Sequence, residues 1–311
     1  MSKFLLISGV KGSGKGLIRG LLDGHPDLFV SPFHEVVLEA FYKNKINVEK
    51  KMDIEKIRNI LATNGRYFQI ERFIKEKENA QSILIGGNDR RETNINLDYE
   101  LFDRSWVKNL FKKGKKWNSQ QICEEIYKSF SANLLSPYLK NSAKKKYYCS
   151  LSTGYQYAVS GFINTFPNSK IIYLKRDPLE IISAIIKRKR NKKDSRSDTF
   201  SRQSLLDKYG NKEFINSIYR LNKEADKLSK KNPNKILIIN FLDFFKNQAS
   251  EIKRILKFLQ IRDHYSLKYY SSGGYKITHS DGSSLLSSPV DKGYDNLTKK
   301  ELKKLKLFIK N

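Results

Sequence analysis

The chain has 311 residues, 39% hydrophobic and 12% aromatic, which is enough apolar material for a full core in one domain. No run approaches the roughly 20 apolar residues needed to cross a bilayer, and the apolar run after Lys3 is too short for a signal peptide, so the expected location is the cytoplasm. Against 32 Asp and Glu stand 60 Lys and Arg, a net charge of +28 that directs attention to anionic partners: a nucleotide, an acidic polysaccharide, an anionic membrane or a nucleic acid. Lys, Asn, Ile and Tyr are abundant together, so part of this excess is compositional. Local runs such as Lys187-Arg188-Lys189-Arg190 keep the acidic partner in view. The two cysteines, Cys123 and Cys149, and four histidines give neither a disulfide framework nor a zinc-ligand spacing. Both cysteines read as reduced packing residues.

Phe4 to Ile7 is a short apolar run that reads as a buried strand. The turn Gly9-Val10-Lys11-Gly12-Ser13-Gly14-Lys15-Gly16 follows it. Leu17, Ile18, Leu21 and Leu22 then recur at helical spacing until Gly24 and Pro26 end the helix. Strand, glycine turn and helix together make a cradle for phosphate. The glycines let successive backbone N–H groups point inward, and the helix N-terminus adds partial positive charge. Lys11 and Lys15 add full charges beside it. Gly9, Gly14 and Lys15 match the pattern G-x-x-x-x-G-K-[ST], but Gly16 stands where a hydroxyl normally holds magnesium on a nucleoside triphosphate. The turn thus suits phosphate better than metal-assisted triphosphate chemistry, and no metal is expected. The plainer reading is a tight turn without a ligand.

Leu28 to Val30 reads as a second strand, with Ser31 to Glu35 as the loop at its end. Ligands sit at strand ends in open α/β sheets, so Glu35 is a candidate general base and His34 a second one. A cap or a surface carboxylate is the other reading of Glu35. Residues 41–145 carry helical patterns at Ile54–Leu61, Phe68–Ile74, Phe102–Leu110 and Ile122–Phe130, joined by lysine-rich connectors. Ile83-Leu84-Ile85 could form a short strand, but Asn88-Asp89 after it makes a poor Walker B acid. This stretch reads as a largely helical insertion into a single domain, residues 1–311, whose core is 1–40 and 146–311.

The α/β rhythm returns with a strand at Tyr147–Leu151, a helix at Gln156–Phe166 and a strand at Lys170–Leu174. Lys175-Arg176-Asp177-Pro178 follows, and Pro178 suits the first turn of the next helix. Arg176, at a strand's C-terminal end, can clamp a phosphate in a bidentate fork or pair with a nearby carboxylate. Arg202–Lys230 reads as a long helical region, Ile236–Ile239 as a strand and Ile252–Leu259 as a helix. Ser283–Gly293 is a loop of small residues holding Lys292-Gly293. Thr298 caps a final helix, with Glu301 completing a capping box. The fold class is α/β, a three-layer arrangement with a central, mostly parallel sheet.

These stretches carry a resemblance. GVKGSGKGLIRGLLDGHPDLFV resembles the 5′-phosphosulfate loop of sulfotransferases that use 3′-phosphoadenosine 5′-phosphosulfate (PAPS). FPNSKIIYLKRDPLEIISAI resembles their 3′-phosphate-binding strand and helix. ILIINFLDFFKNQASEIKRILKFL is similar to a later strand, acidic turn and helix, and SSPVDKGYDNLTKKEL to their C-terminal loop. The matches come in family order outside 41–145. The resemblance implies a P-loop-type fold and transfer of a sulfuryl group from PAPS to an acceptor hydroxyl, with 3′-phosphoadenosine 5′-phosphate as product. It implies that the backbone of Gly12, Ser13, Gly14, Lys15, Gly16 and Leu17 holds the 5′-phosphosulfate, with Lys11 or Lys15 supplying charge. Arg176 would bind the 3′-phosphate with help from Ser183, and Lys292 and Gly293 would close over it. Glu35 falls where glycan sulfotransferases place a catalytic glutamate, so the expected acceptor is a carbohydrate or glycoconjugate. Two other classes stay open. A P-loop kinase or NTPase is favoured by Gly9, Gly14 and Lys15 and opposed by Gly16. A non-catalytic nucleotide or polyanion binder is supported by charge alone, and no signature points to specific nucleic-acid recognition.

Overall fold

Strand β1 (Lys3–Gly9) is buried almost throughout, the pattern of a strand covered on both faces. The computed structural model describes residues 3–34, 55, 57, 59, 96–97, 99–112, 114, 117, 119–135, 145–152, 159–190, 201–272, 275–276 and 293–310. The other main strands are β2 (Leu28–His34), β3 (Tyr147–Leu151), β4 (Lys170–Lys175) and β5 (Ile236–Asn240). They form one sheet in the order β2-β3-β1-β4-β5, parallel throughout, with β1 in the middle. Two short antiparallel pairs, Asn96–Leu97 with Leu134–Leu135 and Ser271–Ser272 with Tyr275–Lys276, stand apart from it. Helix α1 (Lys15–Leu22) follows β1. Helices α2 (Tyr99–Lys112), α3 (Ser119–Asn133) and α4 (Val159–Thr165) precede β4. Helices α5 (Pro178–Arg190), α6 (Arg202–Tyr209) and α7 (Lys212–Lys231) come between β4 and β5. Helices α8 (Phe241–Lys246), α9 (Gln248–Leu259) and α10 (Lys299–Lys310) follow β5. None of the described helices is long and apolar enough to cross a membrane.

The period of two along each strand divides the sheet into two apolar faces. Phe4, Leu6, Phe29, Tyr148, Ile171 and Tyr173 pack with Phe102, Trp106 and Leu110 of α2, Ile126 and Phe130 of α3, and Phe162 of α4. Leu5, Ile7, Val30, Cys149, Ile172 and Leu174 pack on the opposite side with Ile18 and Leu21 of α1 and with Phe244, Ile255 and Leu259 from α8 and α9. A third cluster joins Val10 of the glycine turn to α5, α6, α7 and Leu305 of α10. The result is an α/β/α sandwich, as the rhythm of the sequence implies. Helices α2 and α3, from the stretch read as an insertion, supply much of one helical layer. Cys123 and Cys149 are buried in different clusters as free thiols.

Most elements shift by one to three residues at their ends from the bounds read in the sequence, and three differ by more. Strand β2 runs on through Ser31–His34 instead of turning into a loop. It lies at the sheet edge, where Pro32 is tolerated, and its pairing with β3 shifts register between Val30 and His34. The helical region from Arg202 is two helices, because Asn211 caps a new one: its side chain accepts from the Phe214 N–H at 2.8 Å. Helix α9 begins at Gln248, a turn before Ile252, its first large apolar residue. The expected strand at Ile83–Ile85, the helix at Phe68–Ile74 and most of the loop Ser283–Gly293 lie outside the described residues.

Trp106 is fully buried, and its indole N–H donates to Asp103 Oδ1 at 3.2 Å. Trp106→Ala should cost about 3–5 kcal/mol, read as a lower urea midpoint, and Trp106→Phe should recover most of it. A small loss in Trp106→Ala would mean that α2 contributes little to the sheet's cover.

Candidate functional site

Because the five strands run parallel, their C-terminal ends share one edge of the sheet. Gly9 at the end of β1 lies opposite Leu174, two residues before Arg176, and Lys175 lies opposite Asn240, one residue before Phe241. On the other side, His34 pairs with Leu151 at the end of β3. The glycine turn rises from the middle of this edge. Gly12 and Gly14 have φ of +87° and +91°, a region where side chains are strained. A Cβ on Gly14 would also stand 2.3 Å from the Phe241 ring. Gly14 is the N-cap of α1 and has no side chain of its own to take up the helix's first N–H groups. The Ser13 hydroxyl is fully buried with no hydrogen-bond partner among the described residues.

Three cations surround this turn. Lys15 is 8% exposed, and its Nζ donates to the Gly9 carbonyl at 2.8 Å. Burial, and then the charge of Lys11, bring its pKa down from 10.5 to about 8. Lys11 reaches away from the turn, its Nζ donating to the Tyr209 hydroxyl of α6 at 3.1 Å. Arg176 is 5% exposed: Nη1 donates to the Gly12 carbonyl at 3.2 Å and Nε to Glu180 Oε2 at 3.4 Å. The Phe241 ring lies 4.0 Å from the guanidinium carbon. Burial pushes the Glu180 carboxyl up, and Arg176 opposes that rise. Asp177 caps α5, its Oδ1 accepting from the Leu179 and Glu180 N–H groups at 2.8 and 3.3 Å. Arg176 therefore pairs with a carboxylate, the second of its two sequence readings, and also faces the glycine turn.

The structure brings Gly12, Ser13, Gly14, Lys15, Gly16, Leu17 and Arg176 together, while the Lys11 side chain leaves the turn for Tyr209. Gly293 opens a turn, residues 293–296, whose Tyr294 stands near Asp177 and Glu180. Ser183 points elsewhere. It is fully buried, and its Oγ accepts from the backbone N–H and Nδ2 of Asn296 at 3.3 and 3.4 Å. His34 ends β2 on the same sheet edge, while Glu35 and Lys292 lie outside the described residues. The sequence reading did not include Glu180, Phe241, Tyr209 or Asn296. Glu180 carried a signal, because it lies in the first turn of α5, only four residues after Arg176. The other three are distant in sequence from what they touch.

A family model described as the sulfotransferase family matches residues 88–265, more than half of the chain. The chain belongs to the sulfotransferase family. The matched span holds β3, β4, β5 and Arg176; the glycine turn lies before it. No curated protein matches. Solved structures similar to the chain include the sulfotransferase domain from the curacin biosynthetic pathway, at 15% identity and TM-score 0.44, covering 95% of this chain and 85% of that one. The sulfotransferase domain from the Synechococcus PCC 7002 olefin synthase is similar at 15% identity and TM-score 0.42, covering 99% and 96%. A sulfotransferase from Alicyclobacillus acidocaldarius is similar at 13% identity and TM-score 0.40, covering 90% and 87%.

Lys15 yields a test of this sulfotransferase's charged turn. Between about 8 and 10.5 the unfolded chain binds more protons at Lys15 than the folded one. Stability should therefore rise with pH across that window, and the cost of the buried charge is full below it. In Lys15→Met this part of the slope disappears, as the difference between variant and wild-type denaturant midpoints from pH 7 to 10 would show. Identical slopes would assign the titration to other lysines.

Proposed function

We propose that the protein transfers a sulfuryl group from PAPS to a hydroxyl of a carbohydrate or glycoconjugate. The observation that carries this reading is the pairing, at one sheet edge, of a glycine turn holding a buried Lys15 with a buried arginine on the Gly12 carbonyl. The donor set fits a nucleotide with two anionic ends. At one end stand the cap-free helix start, the idle Ser13 hydroxyl and Lys15. At the other stands Arg176, whose fork suits a phosphate. Gly16 offers no hydroxyl for magnesium, and the roles assigned below need no metal.

PAPS supplies the activated sulfuryl group; everything else falls to the chain. Sulfuryl transfer resembles phosphoryl transfer, so the protein's work is positioning and charge neutralisation. The turn's N–H groups and Lys15 neutralise charge on the bridging oxygen as it leaves with 3′-phosphoadenosine 5′-phosphate, with Lys11 as the alternative cation once it leaves Tyr209. Arg176 binds the 3′-phosphate, and Lys292 and Gly293 close over it. Glu35, one residue past the end of β2, takes the acceptor's proton as the new oxygen–sulfur bond forms, with His34 as the second candidate. The carbohydrate acceptor is supported by the position of Glu35 in the family resemblance. The net charge of +28 suits an acidic glycan.

Calorimetric titration should show 3′-phosphoadenosine 5′-phosphate binding without magnesium and more tightly than ATP with magnesium. Arg176→Ala should weaken that binding by about 10- to 100-fold, the worth of hydrogen bonds to a charged group. Preference for ATP with magnesium would replace this reading with a kinase. Glu35→Ala should keep nucleotide affinity and lose about 100-fold or more in turnover; full activity in that variant would remove Glu35 from the mechanism.

A further inference from the structure

Asn296 is held from two directions. Its backbone N–H and its Nδ2 donate to Ser183 Oγ on α5, and its carbonyl accepts from Arg202 Nη2 at 2.7 Å. Arg202 is itself fixed: Nε and Nη2 donate to the two Glu301 oxygens at 2.7 and 2.5 Å. Glu301 is fixed in turn by the reciprocal capping box with Thr298, and the Arg202 hydrogen bonds first, then those from Thr298, bring its carboxyl down to about 2. The turn 293–296 is thereby pinned to α5 and to Arg202 of α6, which is itself tied to α10, with Tyr294 beside the Asp177–Glu180 segment that follows Arg176. On α5, Ile181 and Ile185 face Gly12. Ser183 is two residues from Ile181, about 200° around the helix, and so faces away from the glycine turn.

We propose that Ser183, Asn296 and Arg202 form a clamp that fixes the 293–296 turn beside Arg176 before the nucleotide arrives, and so set nucleotide affinity without touching the nucleotide. This rests on the nucleotide site proposed above. Ser183 and Arg202 are positioning residues here. A turn left loose would have to be ordered at the moment of binding, and that entropy would be subtracted from the affinity. A turn held in place beforehand avoids the loss. Because both residues act through Asn296, removing either releases the same turn, and removing both adds little.

The test is titration with 3′-phosphoadenosine 5′-phosphate of the wild type, Ser183→Ala, Arg202→Gln and the double variant, with amide hydrogen exchange of residues 293–298 in the free proteins. Each single variant should weaken binding by about 10-fold, the scale of one such interaction, and the double variant by about the same factor. The turn's amides should exchange faster in Ser183→Ala while those of α5 and α10 stay protected. With PAPS saturating, kcat should stay near the wild-type value. Additive losses would show that Ser183 and Arg202 act separately and overturn the clamp. Unchanged affinity with a loosened turn would leave the contacts purely structural, which also overturns it. If Arg202→Gln fails to fold, Ser183→Ala with its exchange pattern decides the matter alone. A wild type that binds no 3′-phosphoadenosine 5′-phosphate would defeat the nucleotide reading itself, and the clamp's role with it.

Discussion

A buried guanidinium bonded to a backbone carbonyl joins the two halves of the site. The 3.2 Å contact from Arg176 to the Gly12 carbonyl links the turn after β1 to the start of α5. It follows from the parallel register that sets Gly9 opposite Leu174, since Arg176 then leaves the sheet beside the turn. Phe241 completes the arrangement from the end of β5, its ring on the guanidinium and on the space where Gly14 has no side chain. A charge this deep is tolerated because Nε donates to the Glu180 carboxylate and Nη1 to the Gly12 carbonyl. Disturbing any one of Gly14, Phe241 or Arg176 would displace the other two.

The cations at this edge rest mostly on neutral partners. Lys15 donates to a carbonyl, Lys11 to a phenol hydroxyl, and Arg176 to a carbonyl as well as to Glu180. Their charge is therefore held in position more than it is cancelled. The lowered pKa of Lys15 is the cost of that arrangement, because burial disfavours its charged form. The apolar layers on both faces of the sheet offset the cost. In the function proposed above, an incoming anion would meet cations already placed.

Much of the sheet was legible in the chain itself. Buried parallel strands are nearly continuous apolar runs, so FLLI, KIIYL and ILII could be read directly, as could the helix entered at Pro178 and the capping box of Thr298 and Glu301. Edge strand β2 was read short, because Pro32 and a register shift disguise a strand that only the sheet edge accommodates. Within the site, the glycine turn and Arg176 were legible because backbone conformation and strand-end position are local properties. The orientation of Ser183 was not, since one residue of helical phase separates a side chain facing the turn from one facing Asn296.

The sequence by itself determined the α/β class, the glycine turn between β1 and α1 and the excess of positive charge. Each of these depends on residue type and on spacings of a few positions. Tertiary structure alone decided that Lys11 leans on Tyr209, 198 positions away, that Phe241 covers Arg176, and that Asn296 is gripped from both Ser183 and Arg202. Those contacts arise where packed layers meet, and no local pattern records which side chains the packing will place within hydrogen-bond reach.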